Sequence, residues 1–500
     1  MEKSAEVHAV AIGNGSSIDQ HKSHAWTKGC RVGVGVSRSG DGFMWTLEAI
    51  AVAAADAVGD IADEALLPQF QVDFAIILSR NPSFVYELNF EICNNSSFSD
   101  ESDRLALLDF KSRISEDPLQ IMSLWNDSTH FCSWFGVTCS PTSTTVTVLN
   151  LKAQRLSGFI TPSIGNLTYL IGINLRNNSF YGEIPQELGR LRHLHLQHLN
   201  LTYNSFGGNL PSNLSHCTQL RVLDVGANKL VGQIPEQLNS LSKLVFLQLT
   251  VNNLTGSIPA WIGNFSSSSF LVLARNNLQG CIPSELGRLS SLEFFQLYGN
   301  NLSCTIPPQI YNISSIFYFS VTKNQLHGSL PPDVGLTLPN LETFAGAVNS
   351  FTGPIPASLS NASRLQVLDF SQNGLTGSVP QNLARLSGLV RLNFETNRLG
   401  NGKVGELNFL GSLANCTSLE VLGLDYNQFG GILSNSIANL SSQLNILTLG
   451  GNMMHGGIPI GIGNLVNLTD LGLEYNYLSG HLPDTLAREA TKVTITIFEL

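Results

Sequence analysis

Cys132 and Cys139 flank Trp134 in the run Cys-Ser-Trp-Phe-Gly-Val-Thr-Cys, and Cys281 and Cys304 stand 23 residues apart. Closing the short loop between Cys132 and Cys139 would stabilise it by roughly 2 to 3 kcal/mol in an oxidising compartment. In the cytosol the same two thiols stay reduced. Zinc is the weaker reading, because no second Cys or His pair follows at ligand spacing. Cys281 and Cys304 would be neighbours in a coil of about 24 residues, but bridge geometry is demanding and separate thiols are the expectation. Cys217 and Cys416, in His-Cys-Thr and Asn-Cys-Thr, read as buried thiols under an outer turn.

A second set of side chains suits recognition. Phe294, Gln296, Tyr298, Phe317 and Tyr318, with Lys323, are followed by Asp369, Glu395, Asp425, Tyr426, Glu474 and Tyr475, an acidic and aromatic track. Aromatic rings offer a partner large rigid area, and carboxylates steer a basic one. The expected ligand is an extended peptide with basic residues, although any single position is equally compatible with a scattered aromatic on a solvated face. No catalytic set accompanies them: His-Arg-Asp and Asp-Phe-Gly are absent. Gly33-Val-Gly-Val-Ser-Arg-Ser-Gly40 lacks the Gly-Lys-Ser/Thr ending of a phosphate loop, does not match Gly-x-Gly-x-x-Gly, and reads as a flexible segment. The chain is read as non-enzymatic, with no cofactor and no metal.

What positions these residues is a repeat. Asn178, Asn204, Asn228, Asn252, Asn276, Asn300, Asn324, Asn349, Asn373, Asn397, Asn427, Asn452 and Asn476 recur nearly always 24 apart, each closing a Leu-x-x-Leu-x-Leu-x-x-Asn phrase. The phrase is the leucine-rich-repeat signature. Its Leu-x-Leu centre alternates as a short strand does, apolar side chains to one face and the intervening residues to the other. The Asn amide can donate and accept, and so pair backbone groups that the bend would otherwise bury. Gly in Leu-x-Gly-x-Ile-Pro permits the next turn, and Pro suits the irregular far side. The expected fold is an α/β solenoid: a curved right-handed superhelix, a parallel sheet on its inner face, irregular or 3-10 outer turns, and a helical N-terminal cap.

Fourteen copies begin near Val146 and end with the one at Leu468, giving an inner face on the order of 65 Å long. The first copy carries Gln154 in the Asn place, the second has extra residues around Leu194 and His195, and the eleventh is lengthened through Gly400 to Gly405. Insertions of this kind fall outside the strand face, so the sheet should continue through them. Sequons occur at Asn126, Asn166, Asn213, Asn253, Asn264, Asn301, Asn312, Asn361, Asn415, Asn439 and Asn467. Several belong to the outer turn and suit a secreted protein, but a chain rich in Asn, Ser and Thr also makes sequons by chance. Asn415 is read as crowded. Asn177 and Asn200 face inward, where glycans would block repeats two and three.

The chain has 13% charged residues, about half the usual share, against 43% hydrophobic. With 27 basic and 37 acidic residues the net charge is −10, and no basic stripe with interleaved aromatics is present, which argues against nucleic acid as a partner. Upstream of the repeats, Leu105, Leu108, Phe110 and Ile114 have helical spacing, with Ser102 or Asp103 as N-cap, and such a helix would cover the end of the leucine core. Residues 1–99 contain no clear signal peptide, the Ala49–Ala55 run being short and flanked by acids, and read as a largely disordered extension.

Asp103 to Cys139, with Ala-Leu-Leu-x-Phe-Lys, Trp-Asn and Cys-x-Trp-x-Gly-Val-x-Cys, resembles the plant-type N-terminal cap, and the Leu-x-Gly-x-Ile-Pro phrases resemble the plant extracellular repeat subclass. Together they span residues 100 to 487: a cap at 100–145, repeats at 146–487, and a divergent tail at 488–500. The resemblance is to ectodomains of plant leucine-rich-repeat receptor kinases, of the group that senses bacterial flagellin or translation-factor peptides and includes rice blight-resistance receptors. It implies a peptide or protein ligand, a repeat-bearing co-receptor kinase, and a place outside the cell or on the outer face of the plasma membrane, in immune or developmental signalling. The tail lacks a C-terminal cap, an apolar run of about 20 residues and kinase motifs, so the chain reads as truncated before a span and a serine/threonine kinase. Unless the tail covers it, an exposed edge is expected at Leu471, Leu473 and Leu478. The alternative is a secreted inhibitor resembling polygalacturonase-inhibiting proteins, but those are shorter arrays closed by both caps.

Overall fold

The computed structural model describes residues 100–191, 196–481, 483 and 494–496. The 1–99 extension with its Gly33–Gly40 and Ala49–Ala55 runs, the Leu194–His195 insertion, and most of the 488–500 tail lie outside the described residues.

Each phrase forms one strand, such as Val222–Asp224 or Phe246–Gln248, too short to persist alone. Pairing supplies the stability. Leu199, Leu223, Leu247, Leu271, Phe295, Phe319, Phe344, Leu368, Leu392, Leu422, Leu447 and Leu471 sit opposite one another from strand to strand in parallel register. All are buried in one continuous apolar core. The sheet has 16 strands. It opens with Val137–Cys139 of the cap, antiparallel to Val146–Asn150. The lengthened eleventh copy leaves it intact: Leu392 pairs Leu422 directly, while Lys403 and Val404 stand exposed before the helix Asn408–Ser412. The second copy likewise pairs Ile173 with Leu199.

At the far end the tail extends the sheet. Thr494–Thr496 joins the sheet parallel to Asp470–Gly472, and Leu471 and Leu473 are buried. The signal was the alternation Val493-Thr494-Ile495-Thr496-Ile497, which has strand period and falls one repeat beyond Leu471.

The Asn column works across coils. Asn228 Nδ2 donates to the carbonyls of Val225 (3.1 Å) and Gly226 (2.9 Å) in its own coil and of Leu201 (3.0 Å) in the coil before, while its Oδ1 accepts from the Phe206 amide at 2.9 Å. The residue just before the Asn takes left-handed backbone coil after coil: Ala227, Val251, Arg275, Lys323, Val348, Gln372, Thr396, Tyr426 and Tyr475 have φ from 48° to 55°. This conformation costs L-residues about 1 kcal/mol or more each, and the Asn bonds hold the chain in it. On the outer side, Gly232 (φ 78°) makes the turn that delivers Pro235 to the start of the 3-10 helix Glu236–Ser240. Gly263 lies so close to the Glu285 carbonyl of the next coil that no Cβ fits.

The cap helix α1, Asp100–Ser112, buries Asp103, Ala106, Leu107 and Phe110 at i, i+3, i+4, i+7. Of the predicted face, Phe110 is buried and Leu108 and Ile114 pack against the core, but Leu105 is exposed and Ile114 lies beyond the helix in Ile114–Glu116. Asp103 is no N-cap either, since its carboxylate accepts from the Val146 amide at 2.8 Å and ties the helix to the first repeat strand. The hydroxyls of Ser163 and Thr161 donate to Asp109 and hold its carboxyl below the usual range. Trp125 stacks on Trp134 with centroids 5.3 Å apart, and their indole N–H groups donate to the carbonyls of Phe135 and Asn126 at 3.0 and 3.1 Å.

Candidate recognition surface

The positions between the leucines project to the inner face, and the predicted residues divide there into two groups. On repeats five to eight, rings stand in file: Phe246, Phe270, Phe294 and Tyr318 follow one another with centroids 5.4, 5.8 and 4.0 Å apart, and Phe317 meets Phe294 edge-on at 6.1 Å. Phe246 and Phe270 were missed by the sequence reading, although their spacing of 24 from Phe294 places them in its column. Phe294, Gln296, Phe317 and Tyr318 are buried and Tyr298 is half-buried, so this stretch of the face is closed in the structure.

Repeats ten to fourteen are different. Tyr426 and Tyr475 are 50% and 64% exposed, so this part of the face is open to a partner. Asp369 is buried and satisfied: Ser371 donates through its hydroxyl (2.8 Å) and amide (3.1 Å), and Arg391 through Nε at 3.1 Å. Glu395 is half-buried, and burial, then the charges of Asp425 and Asp369, push its carboxyl above the usual range. Asp425 accepts from the Thr448 hydroxyl at 2.6 Å. Glu474 is half-buried beside Gly450 and Gly472. The inward positions of these strands carry Asp369, Glu395, Asp425, Asp470 and Glu474 against Arg391 alone, and a face of one sign steers a partner of the other.

On repeats two to four, Arg176 lies over the Tyr203 ring at 5.7 Å, Thr202 donates to the buried carboxylate of Asp224, Asn177 is exposed, and Asn200 Oδ1 accepts from the Thr202 amide at 3.1 Å. Burial, with Arg221 nearby, lowers the His198 imidazole to about 4. Between that value and the ordinary 6.5 the unfolded chain binds a proton that the fold refuses. This part of the stability is therefore complete above pH 6.5 and declines as pH falls toward 4. The cost at the acid end should be about 3 kcal/mol. His198→Gln should flatten the denaturation midpoint over this window, and an unchanged slope would show that other groups set it.

The cysteines resolve into two bridges and two thiols. Cys132–Cys139 is a disulfide with Cα atoms 5.4 Å apart. Cys281–Cys304 is also a disulfide, Cα–Cα 5.3 Å, contrary to the expectation of separate thiols. The reason is local: Gln279–Cys281 and Asn301–Ser303 pair as lateral strands, which puts Cys281 opposite Ser303 and within reach of Cys304. Cys217 and Cys416 are buried thiols, raised by burial to about 12 and about 11. Asn126, Asn166, Asn213, Asn253, Asn264, Asn301, Asn312, Asn361, Asn439 and Asn467 are all exposed, and so is Asn415, where crowding was expected. Asn166, Asn264, Asn312, Asn361, Asn415 and Asn439 each end an outer 3-10 helix. No helix among the described residues is long and apolar enough to cross a membrane.

A family model described as leucine rich repeat N-terminal domain matches residues 100–140, and one described as leucine rich repeat matches 195–217, 364–386 and 418–440. The chain is 58% identical over 370 residues to the Arabidopsis thaliana LRR receptor-like serine/threonine-protein kinase EFR, an alignment covering 74% of this chain and 36% of that protein. It thus spans about a third of the length of this relative. Among solved structures, a TDR receptor superposes with a TM-score of 0.62 at 26% identity, covering 71% of this chain and 64% of that one. The plant peptide hormone receptor RGFR1, solved in complex with RGF2, gives 0.52 at 28% identity, covering 68% and 61%. By its cap, its repeats and these relatives, the chain is a leucine-rich-repeat solenoid similar to the ectodomains of plant receptor-like kinases.

Proposed function

We propose that this chain is a non-enzymatic recognition module that works outside the cell, where its inner face binds a peptide or protein ligand for immune or developmental signalling. The observation that carries the reading is the open, uncompensated acidic face of repeats ten to fourteen with Tyr426 and Tyr475 standing from it. Buried cores do not need such a surface, and aromatic anchors amid complementary charge are what peptide recognition uses. The similarity to the plant peptide hormone receptor RGFR1, solved in complex with RGF2, supports the same reading. Two disulfides and the exposed outer-turn sequons suit an oxidising, glycosylating compartment. A repeat-bearing co-receptor would complete the signalling unit.

Expression in a plant cell tests the compartment. A mass drop on endoglycosidase treatment, with Cys132, Cys139, Cys281 and Cys304 closed to thiol labelling, is the expected result; no drop and four open thiols would place the array in the cytosol and remove the proposal. Ligand binding is tested by panning the full chain against a random dodecapeptide library. Peptides should be enriched, and Tyr426→Ala and Tyr475→Ala together should abolish the enrichment.

A further inference from the structure

We infer that a glycine-floored notch at repeat thirteen is a subsite for one cationic side chain of the ligand, with arginine preferred over lysine; the inference rests on the peptide-binding reading above. Repeat thirteen is anomalous in the inner columns. Where its neighbours carry Asp425 and Tyr426 on one side and Glu474 and Tyr475 on the other, it carries Gly450 and Gly451. Backbone pairing places these residues side by side: the Tyr426 amide donates to the Gly450 carbonyl and the Gly451 amide to the Glu474 carbonyl, both at 2.8 Å.

The missing side chains leave room that the neighbours lean into. A Cβ on Gly450 would stand 2.6 Å from the Glu474 carboxylate, and one on Gly451 would stand 2.6 Å from the Tyr426 ring. Across the gap the Tyr426 and Tyr475 rings approach to 6.5 Å between centroids, tilted by 39°. The notch thus has a glycine floor, two tyrosine walls, and two carboxylates, Asp425 and Glu474.

One atom is left without its bond. Glu474 Oε2 is buried and meets no hydrogen-bond donor among the described residues. Asp425, by contrast, is held by the Thr448 hydroxyl, which fixes the orientation of its carboxylate. A buried carboxylate oxygen with no donor costs free energy that an arriving cation would offset. Glu474 and Asp425 also raise the Tyr426 phenol, after its own burial and together with Tyr475, so negative charge is concentrated on this spot. Arg391 is the only cation at the inward positions of repeats ten to fourteen, and it is engaged with Asp369 three repeats away.

Arginine fits this constellation better than lysine. Its planar guanidinium can lie against a tyrosine face while its fork of N–H groups pairs with a carboxylate, whereas an ammonium is a compact, strongly hydrated point charge.

The test is the same dodecapeptide library panned on the full wild-type chain, on Asp425→Asn/Glu474→Gln, and on Tyr475→Ala. Wild type should enrich peptides with arginine at one fixed position. Replacing that arginine by citrulline, which is nearly isosteric but neutral, should weaken binding about 30-fold, and by lysine about 5-fold. The carboxylate variant should still enrich peptides but without the arginine, and Tyr475→Ala should reduce the preference about tenfold. Enrichment on wild type without a cationic position, or an arginine preference that survives Asp425→Asn/Glu474→Gln, would overturn the subsite while leaving peptide binding in place. No enrichment on wild type at all would overturn both.

Discussion

Asn276→Ala should destabilise the array by about 4 to 6 kcal/mol, a loss read from the urea midpoint and from faster exchange of the Leu254 amide. In the wild-type chain Asn276 Nδ2 donates to the carbonyls of Leu249 (2.9 Å), Leu273 (3.2 Å) and Ala274 (3.2 Å), and Oδ1 accepts from the Leu254 amide at 3.1 Å. Truncation strands the Leu254 N–H in a place without water, at about 1 to 3 kcal/mol, and removes roughly 1 kcal/mol for each carbonyl bond lost. Asn276→Asp should be no better at neutral pH: it keeps the acceptor but sets an anion against three carbonyl oxygens. Acid should restore part of that loss, because protonation returns a donor. The control is built into the chain. Gln154 holds the Asn place of the first copy but reaches only the Lys152 carbonyl through Nε2, at 2.8 Å. Gln154→Ala should therefore cost under about 1 kcal/mol. Equal effects at the two sites would mean that leucine packing alone aligns the coils.

That contrast also marks what the sequence made legible. The leucine and asparagine columns follow from one chemical requirement repeated every turn, burial of an apolar row and pairing of the bend, so they survive as a period anyone can read. Features that depend on two elements meeting in space do not. Leu105 has as good a claim to the core as Leu107 on α1 until the first coil chooses the side of Asp103, Ala106 and Phe110. The left-handed residue before each Asn accepts Ala227, Val251, Arg275 or Tyr426 alike, and so leaves no residue-type signature.

In the recognition face the same division holds. Position predicted which side chains project inward, and Tyr426 and Tyr475 do stand open. It did not predict that Phe294 and Tyr318 would be buried in a ring file begun by Phe246 and Phe270. Nor did it show that the absence of side chains at Gly450 and Gly451 shapes the surface as much as the acids beside them, since glycine in a repeat reads first as a turn residue.

Removing the Cys281–Cys304 bridge should cost more than removing the one in the cap, and the order of the two effects identifies the mechanism. If a disulfide acts mainly by restricting the unfolded chain, the stabilisation grows with the loop it closes: about 3.5 kcal/mol for the separation of 23 residues and about 2.5 kcal/mol for the separation of 7. Cys281→Ser/Cys304→Ser should therefore lower the denaturation midpoint more than Cys132→Ser/Cys139→Ser. The opposite order has its own physical account. The cap bridge lies next to Trp134, whose ring stacks on the fully buried Trp125, and losing it would loosen the plug on one end of the leucine core. The inter-coil bridge lies on lateral strands that already pair through Gly280 and Leu302. A larger loss at Cys132 and Cys139 would thus show that, in a stacked array where each coil is held by its neighbours, sealing the end of the core outweighs the entropy of any single loop.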